Sequence, residues 1–468
     1  MLRAMRESAA SVLALALFFF VFLAGEYCFD TVMGDLVGSD SVVLAQGLIL
    51  GASAVGFLAY APLERRLPLG RGVPLVVGAL LLACCLVVLP YVADPNVVQL
   101  VGCVAFLVLG IAGGAAHRVA SVSFARGDCL ARLVAVSYAG GLLLQYLTNN
   151  LVVDMAVESA ILAVFGVALM ACLWRAMAVL PIAGGEARAV PALPEEVASN
   201  LRRELIGVTV AVVLMTCLFG TLDNIVTMAN SRGDVQLASW PRLFLAGSAL
   251  LAGWLFDLRG RRFMSLLMFC MAMLSTVAIL VLEGGGSALA CTLIFFLSSG
   301  FYAVYLTTAF IGLAPLTGRP ALWAGMGRTL NNACALAIAL PSLALVGSGD
   351  VTWVLIVDLV LFVGIALSLF ASMSAAAARG AAEAQLALRE QTSPVDLAVR
   401  LTRFQEDNRL TAREREVLEP VVATEEPLKQ VALDLGISLR MVQRHLSSIY
   451  EKTGTQTRAG LSKRFWED

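Results

Sequence analysis

Between Ser438 and Arg464 the chain carries Arg440, Arg444, Lys452, Arg458, Lys463 and Arg464 against Glu451 alone. That is a local net charge of +5 in a chain of 468 residues whose overall net charge is −1. A basic cluster of this kind gives sequence-independent affinity for phosphates. Val442, Leu446 and Ile449 recur at the spacing of one helical face, so Gln443, Arg444 and Ser447 fall off that face. Arginine can hold guanine through two hydrogen bonds, and glutamine can hold adenine. The chemistry these residues offer is recognition of double-stranded DNA.

A second set of polar groups lies inside strongly apolar stretches: Glu26 and Tyr27, Gln145 and Asn149, Asp223 and Asn224, Arg242, Tyr302 and Tyr305, and Arg328, Asn331 and Asn332. Ionisable residues within a membrane are expensive and are functional candidates by default. Glu26, Asp223, Arg242, Tyr305, Arg328 and Asn332 are the candidate ligand-binding residues, a set of mixed charge suited to an unidentified small molecule or to pairing among themselves. His117 reads as an interfacial residue. No phosphate loop, HExxH pair or nucleophile elbow occurs, and the ten cysteines, all between Cys28 and Cys334, lack metal-ligand spacing. No enzyme activity, cofactor or metal is expected.

The elements that position these groups are helices, and the fold class read from the sequence is all-α. Mean hydropathy is +0.85 and only 14% of residues are charged, against about 25% in an ordinary soluble domain. About twelve windows are long and apolar enough to span a bilayer: 12–32, 41–61, 73–92, 97–117, 131–151, 156–178, 204–228, 238–257, 263–282, 288–313, 321–346 and 351–372. The first resembles a signal peptide but lacks a small-x-small cleavage site in the usual place, so it reads as a spanning helix. Gly113-Gly114 and Gly140-Gly141 suit close helix packing.

Basic residues fall in the loops after even-numbered segments, while Arg232 alone falls after an odd one. The positive-inside rule then places the even-numbered loops and both termini in the cytoplasm. Residues 181–203, rich in Pro, Gly and charge, divide the segments six and six. From Ala371 an Ala-rich stretch with interspersed charge predicts a cytoplasmic helical linker over 373–409, with a new helix starting at Pro394.

Two family resemblances follow. GWLFDLRGRR, residues 253–262, resembles the G-x-L-x-D-R-x-G-R-R loop of the major facilitator superfamily, with Leu258 for the first arginine. At the corresponding place in the first half, Tyr60 stands where the acid is usual. The resemblance implies a transporter-like bundle whose cytoplasmic gate has lost half its latch.

In the C-terminal segment, Thr411 and Glu414 form a capping box, Pro427 suits a helix start, Gly436 a helix end and Ser438 a cap. Residues 410–468 resemble the LuxR-type helix-turn-helix, a small four-helix domain, through Leu410-Thr411, Arg413 to Leu418, Leu435, Ile437-Ser438, Val442, His445-Leu446, Ile449-Tyr450, Lys452, Gly454 and Arg458. The resemblance implies that Gln443, Arg444 and Ser447 face base edges. Arg440 joins them as a DNA-binding candidate, and Lys429, Lys452 and Arg458 are set to touch the backbone. His445 is a packing residue. The sequence departs from the family at Pro420, which should kink the first helix, and at Glu425, Met441, Gln443 and Gly460. Sites of this family are read by dimers, which implies two half-sites about one turn apart.

These readings give a membrane-bound one-component transcription regulator: a sensor domain over 1–372, the linker, and a DNA-binding domain over 410–468. Its partners are double-stranded DNA, the lipid bilayer, a small-molecule ligand and a second copy on DNA. The alternative is a facilitator-type transporter with a C-terminal regulatory module.

Overall fold

The computed structural model describes residues 2–37, 39–66, 72–124, 127, 129–179, 193–231, 241–283, 288–347, 351–391, 394–424 and 426–467. They contain no strand. The chain divides into two compact units, Met1–Ala376 and Ala377–Asp468.

The first unit opens with α1 (Leu2–Val37), α2 (Ser39–Arg66), α3 (Val73–Val88), α4 (Pro95–Phe124), α5 (Leu130–Leu151) and α6 (Met155–Val179). The second half holds α7 (Glu195–Ser231), α8 (Pro241–Phe256), α9 (Met264–Glu283), α10 (Ala288–Leu313), the short α11 (Pro320–Trp323), α12 (Met326–Gly347) and α13 (Val351–Gln391). Among the described residues ten helices are long and apolar enough to cross a membrane. The sixteen-residue α8, and α12 with Arg328, Asn331 and Asn332 in its first turns, complete the twelve. This is a polytopic six-plus-six bundle. α13 runs 41 residues without a break, through the boundary the sequence set at 372.

Within the first half α2 packs on α4, and α1 on α4, α5 and α6; within the second α10 packs on α8 and α9, and α7 on α12. The halves meet along two seams, α2 against α12 and α5 against α8. Small residues permit both kinds of contact. A Cβ on Gly113 would strike Phe57 and Phe18, and one on Gly253 would strike Ala135 and the Ala131 carbonyl. Without a hydrophobic drive between helices in lipid, such close approach is what dispersion and weak hydrogen bonds need.

His117 is not interfacial. It is 1% exposed, its Nδ1 lies 2.7 Å from the Gly113 carbonyl, and its ring meets Phe18, Phe19 and Phe57 edge-on. α4 is long enough to carry it well inside its own C-terminal end.

The second unit contains α14 (Pro394–Asp407), α15 (Ala412–Ala423), α16 (Leu428–Asp434), α17 (Leu439–Thr453) and α18 (Arg458–Glu467). It has a core of its own, built from Val417, Leu418, Val431, Val442, Leu446 and Ile449. α14, read as linker, belongs to that core. Leu401 and Phe404 are buried in it, and Phe404 meets Phe465 at 5.2 Å. α15 continues through Pro420 to Ala423, so proline leaves one backbone bond unmade without ending the helix. Glu425 lies outside the described residues.

Candidate functional site

The C-terminal surface is built by caps. Thr411 Oγ1 accepts the Glu414 amide, and the Glu414 carboxylate accepts the Thr411 amide at 2.7 Å, which fixes the start of α15. α16 ends in a Schellman turn: Gly436 sits at φ 65, its amide reaches the Leu433 carbonyl, and the Ile437 amide reaches Ala432 at 3.0 Å. Ser438 then caps α17 through the Met441 amide. Gly454, at φ 65, closes α17.

α17 buries Val442, Leu446, Ile449 and Thr453. Its outer face presents Arg440, Gln443, Arg444 and Ser447, all exposed. Arg440 and Arg444 make no ion pair among the described residues, so their donors are available to an external acceptor. Ser447 Oγ donates to the Gln443 carbonyl at 3.0 Å. Lys429 is exposed on α16, and His445 is half-buried.

Lys452 and Arg458 are placed differently from the backbone contacts expected of them. Lys452 Nζ lies 2.7 Å from Glu414 Oε2. The Arg458 guanidinium donates to the carbonyls of Val421, Thr424 and Glu426, which end α15 and follow it. Helix C-terminal carbonyls lack intrahelical donors, and a cation answers both that and the dipole. Both side chains are engaged inside the domain. Burial would raise the Glu414 carboxyl, but Lys452, the Thr411 amide and the Ser448 and Thr411 hydroxyls outweigh it and hold it down at about 2.

In the membrane unit Glu26 lies within electrostatic reach of Asp223, Arg328 and Arg242, and Arg242 within reach of Asp223. Arg242 lies over the Tyr27 ring at 5.5 Å, and Arg328 over Phe19 at 5.2 Å and Tyr138 at 5.8 Å. Glu26 Oε1 accepts from Gln46 at 2.9 Å. Asp30, one turn beyond Glu26, was missed by sequence reasoning; its i,i+4 spacing from Glu26 was the available signal.

Asn332 does not join this group as a free ligand, and among the described residues no interaction links Tyr305 to it. Asn332 Nδ2 donates to Ser53 Oγ at 2.8 Å and its Oδ1 accepts from Asn331, so it ties α12 to α2. Tyr305 is fully buried against Phe256, and its hydroxyl has no hydrogen-bond partner among the described residues. Asn224 has no described side chain.

At the α5–α8 seam Asp257 accepts the amides of Ala131 at 3.0 Å and Arg132 at 2.9 Å, with Arg132 Nε at 3.6 Å. This carboxylate caps the N-terminus of a helix in the opposite half. Arg261 adds a bond to the Gly127 carbonyl at 3.2 Å. Tyr60 instead donates to Glu64 at 2.9 Å on its own helix, and Glu64 pairs with Arg118 at 3.6 Å. Among the described residues, Asp257 bonds across to the opposite half, whereas Tyr60 at the corresponding place bonds within α2.

Residues 408–463 match the family described as bacterial regulatory proteins, luxR family. Among solved structures, the human organic anion transporter MFSD10 (TETRAN) superposes with a TM-score of 0.55 at 14% identity, covering 79% of this chain and 99% of that one. An auto-inhibited POT family peptide transporter gives 0.51 at 12% identity, covering 80% and 96%. At such identities the likeness is one of fold. No curated protein matches the sequence. The chain thus joins a LuxR-type helix-turn-helix domain to a membrane bundle of the major-facilitator transporter fold.

Proposed function

We propose that this chain is a membrane-bound one-component transcription regulator. The transporter-like unit senses a small molecule, and the C-terminal domain binds DNA as a dimer from the cytoplasmic face of a bacterial inner membrane. The observation that carries this reading is the outer face of α17, where Arg440, Gln443, Arg444 and Ser447 stand exposed while the opposite face is packed into the domain's core. Arg444 and Gln443 suit base edges in a major groove, and Arg440 and Lys429 suit phosphates. A ligand acts by binding one arrangement of the two halves better than another.

Crosslinking of the tagged full-length protein to chromosomal DNA in cells tests the reading. Discrete peaks that vanish with Arg444→Ala support it; no enrichment above background, with the protein present in the membrane, contradicts it.

The intact Asp257 latch favours a second reading, a working transporter with a regulatory module. Substrate accumulation in vesicles that survives deletion of residues 394–468 would establish that reading.

A further inference from the structure

The first turn of α17 exposes apolar side chains beside the residues assigned to DNA. Leu439 is 38% exposed and Met441 43%, on either side of Arg440. On the same helix Val442, Leu446 and Ile449 are buried in the domain's core, and Tyr450 is half-buried against it. Leu439 and Met441 belong to neither group. A single exposed apolar residue needs no account, but two in one turn at a binding face do.

Helix geometry separates the two. At about 100° per residue, Leu439 projects within about 20° of the buried Leu446 and so leans inward. Met441 projects about 80° or more from every buried residue of α17, and only about 60° from Arg444. It therefore borders the outer face and stays clear of the core. Its backbone is fixed while its side chain is free: the Met441 amide donates to the Ser438 carbonyl at 2.9 Å and to Ser438 Oγ at 3.3 Å. Side chains of a helix lean towards its N-terminus, the end of a recognition helix that meets base edges.

An apolar side chain in a major groove finds one apolar group on the base edges, the C5-methyl of thymine. Methionine, unbranched and polarisable, adapts its shape to so small a target. Met441 and Arg444 are three residues apart, about 4.5 Å along the helix. Successive base pairs are about 3.4 Å apart, so the two side chains reach neighbouring steps. We propose that Met441 is a specificity-determining residue that packs on the C5-methyl of a thymine, in the base pair beside the one whose guanine Arg444 holds. The inference rests on the reading of α17 as the helix that enters the groove.

The test selects duplexes from a random-sequence pool with the full-length protein in lipid discs. The bound duplexes share a guanine that Arg444→Ala no longer selects and, beside it, a thymine. Replacing that thymine by uracil removes only the methyl, and lowers wild-type affinity about fourfold per half-site, the order expected for one buried methyl. Uracil at thymines outside that step changes nothing. Met441→Ala binds the thymine and uracil duplexes alike, with the wild-type affinity for uracil. It also keeps the wild-type unfolding temperature, because the side chain fills no part of the core. Equal wild-type affinity for the two duplexes, a preference for thymine that persists in Met441→Ala, or a clear drop in that variant's unfolding temperature overturns the proposal. If the selected duplexes still depend on Arg444 in that case, the regulator reading stands and only the role of Met441 falls. A pool that yields no enriched duplex, with the protein folded in the discs, overturns both.

Discussion

Basic side chains in the C-terminal domain divide into those turned outward and those turned in. Arg458 satisfies carbonyls at the end of α15, and Lys452 pairs with Glu414, while Arg440 and Arg444 meet solvent. Arg458→Ala is therefore expected to cost about 1–2 kcal/mol of stability through carbonyls left without donors. Arg440→Ala leaves stability within about 0.5 kcal/mol and weakens DNA binding evenly across sequences. Thermal unfolding beside DNA titration separates the two. Glu414 gives a pH dependence. Its folded pKa, about 2, lies below the ordinary 4.5, so its contribution is complete above pH 4.5 and is lost as pH falls from there towards 2. By linkage it amounts to at most about 3 kcal/mol. Glu414→Gln should flatten the acid limb of the stability profile between those values; an unchanged limb would count against the pairing.

At the scale of elements, α14 is the clearest case of a helix whose existence was legible but whose place was not. Its start at Pro394 could be read, and its apolar residues recur at helical spacing, but nothing local says which core they enter. Only the fold shows Leu401 and Phe404 against Phe465. A fragment of residues 394–468 should therefore unfold cooperatively and be more stable than residues 408–468 by about 2–4 kcal/mol, the order expected for losing a buried aromatic with its neighbours. Equal stability in chemical denaturation would return α14 to the linker. Caps were legible throughout because they depend on neighbours a few residues away: Thr411 with Glu414, Ser438 with Met441, and Gly436 at positive φ. The jobs of Arg458 and Asn332 were not, because their partners lie far off in sequence. Asn332, for example, is satisfied by Ser53, 279 positions away.

At the scale of the molecule, hydropathy made the twelve spans readable, and charge in the loops ordered them, but not how the halves close. The halves are latched unevenly. Asp257 reaches across a seam to two amides of α5, whereas Tyr60 bonds within its own helix. Asp257→Ala orphans those amides and should destabilise the full-length protein by about 1–3 kcal/mol. Tyr60→Phe removes one intrahelical bond and should cost about 1 kcal/mol or less. Similar losses in thermal unfolding would mean that the two sides are latched alike. On the reading proposed above, a half-latched bundle would serve a device that shifts between states under a ligand without completing a transport cycle.

The measurement that bears most directly on the whole account is a footprint of the full-length protein, reconstituted in lipid discs, on a chromosomal fragment recovered by crosslinking. The account predicts a protected site of two half-sites about one helical turn apart, lost with Arg444→Ala and retained by Lys452→Gln wherever the domain stays folded. Protection that is absent, or that survives Arg444→Ala unchanged, would contradict it.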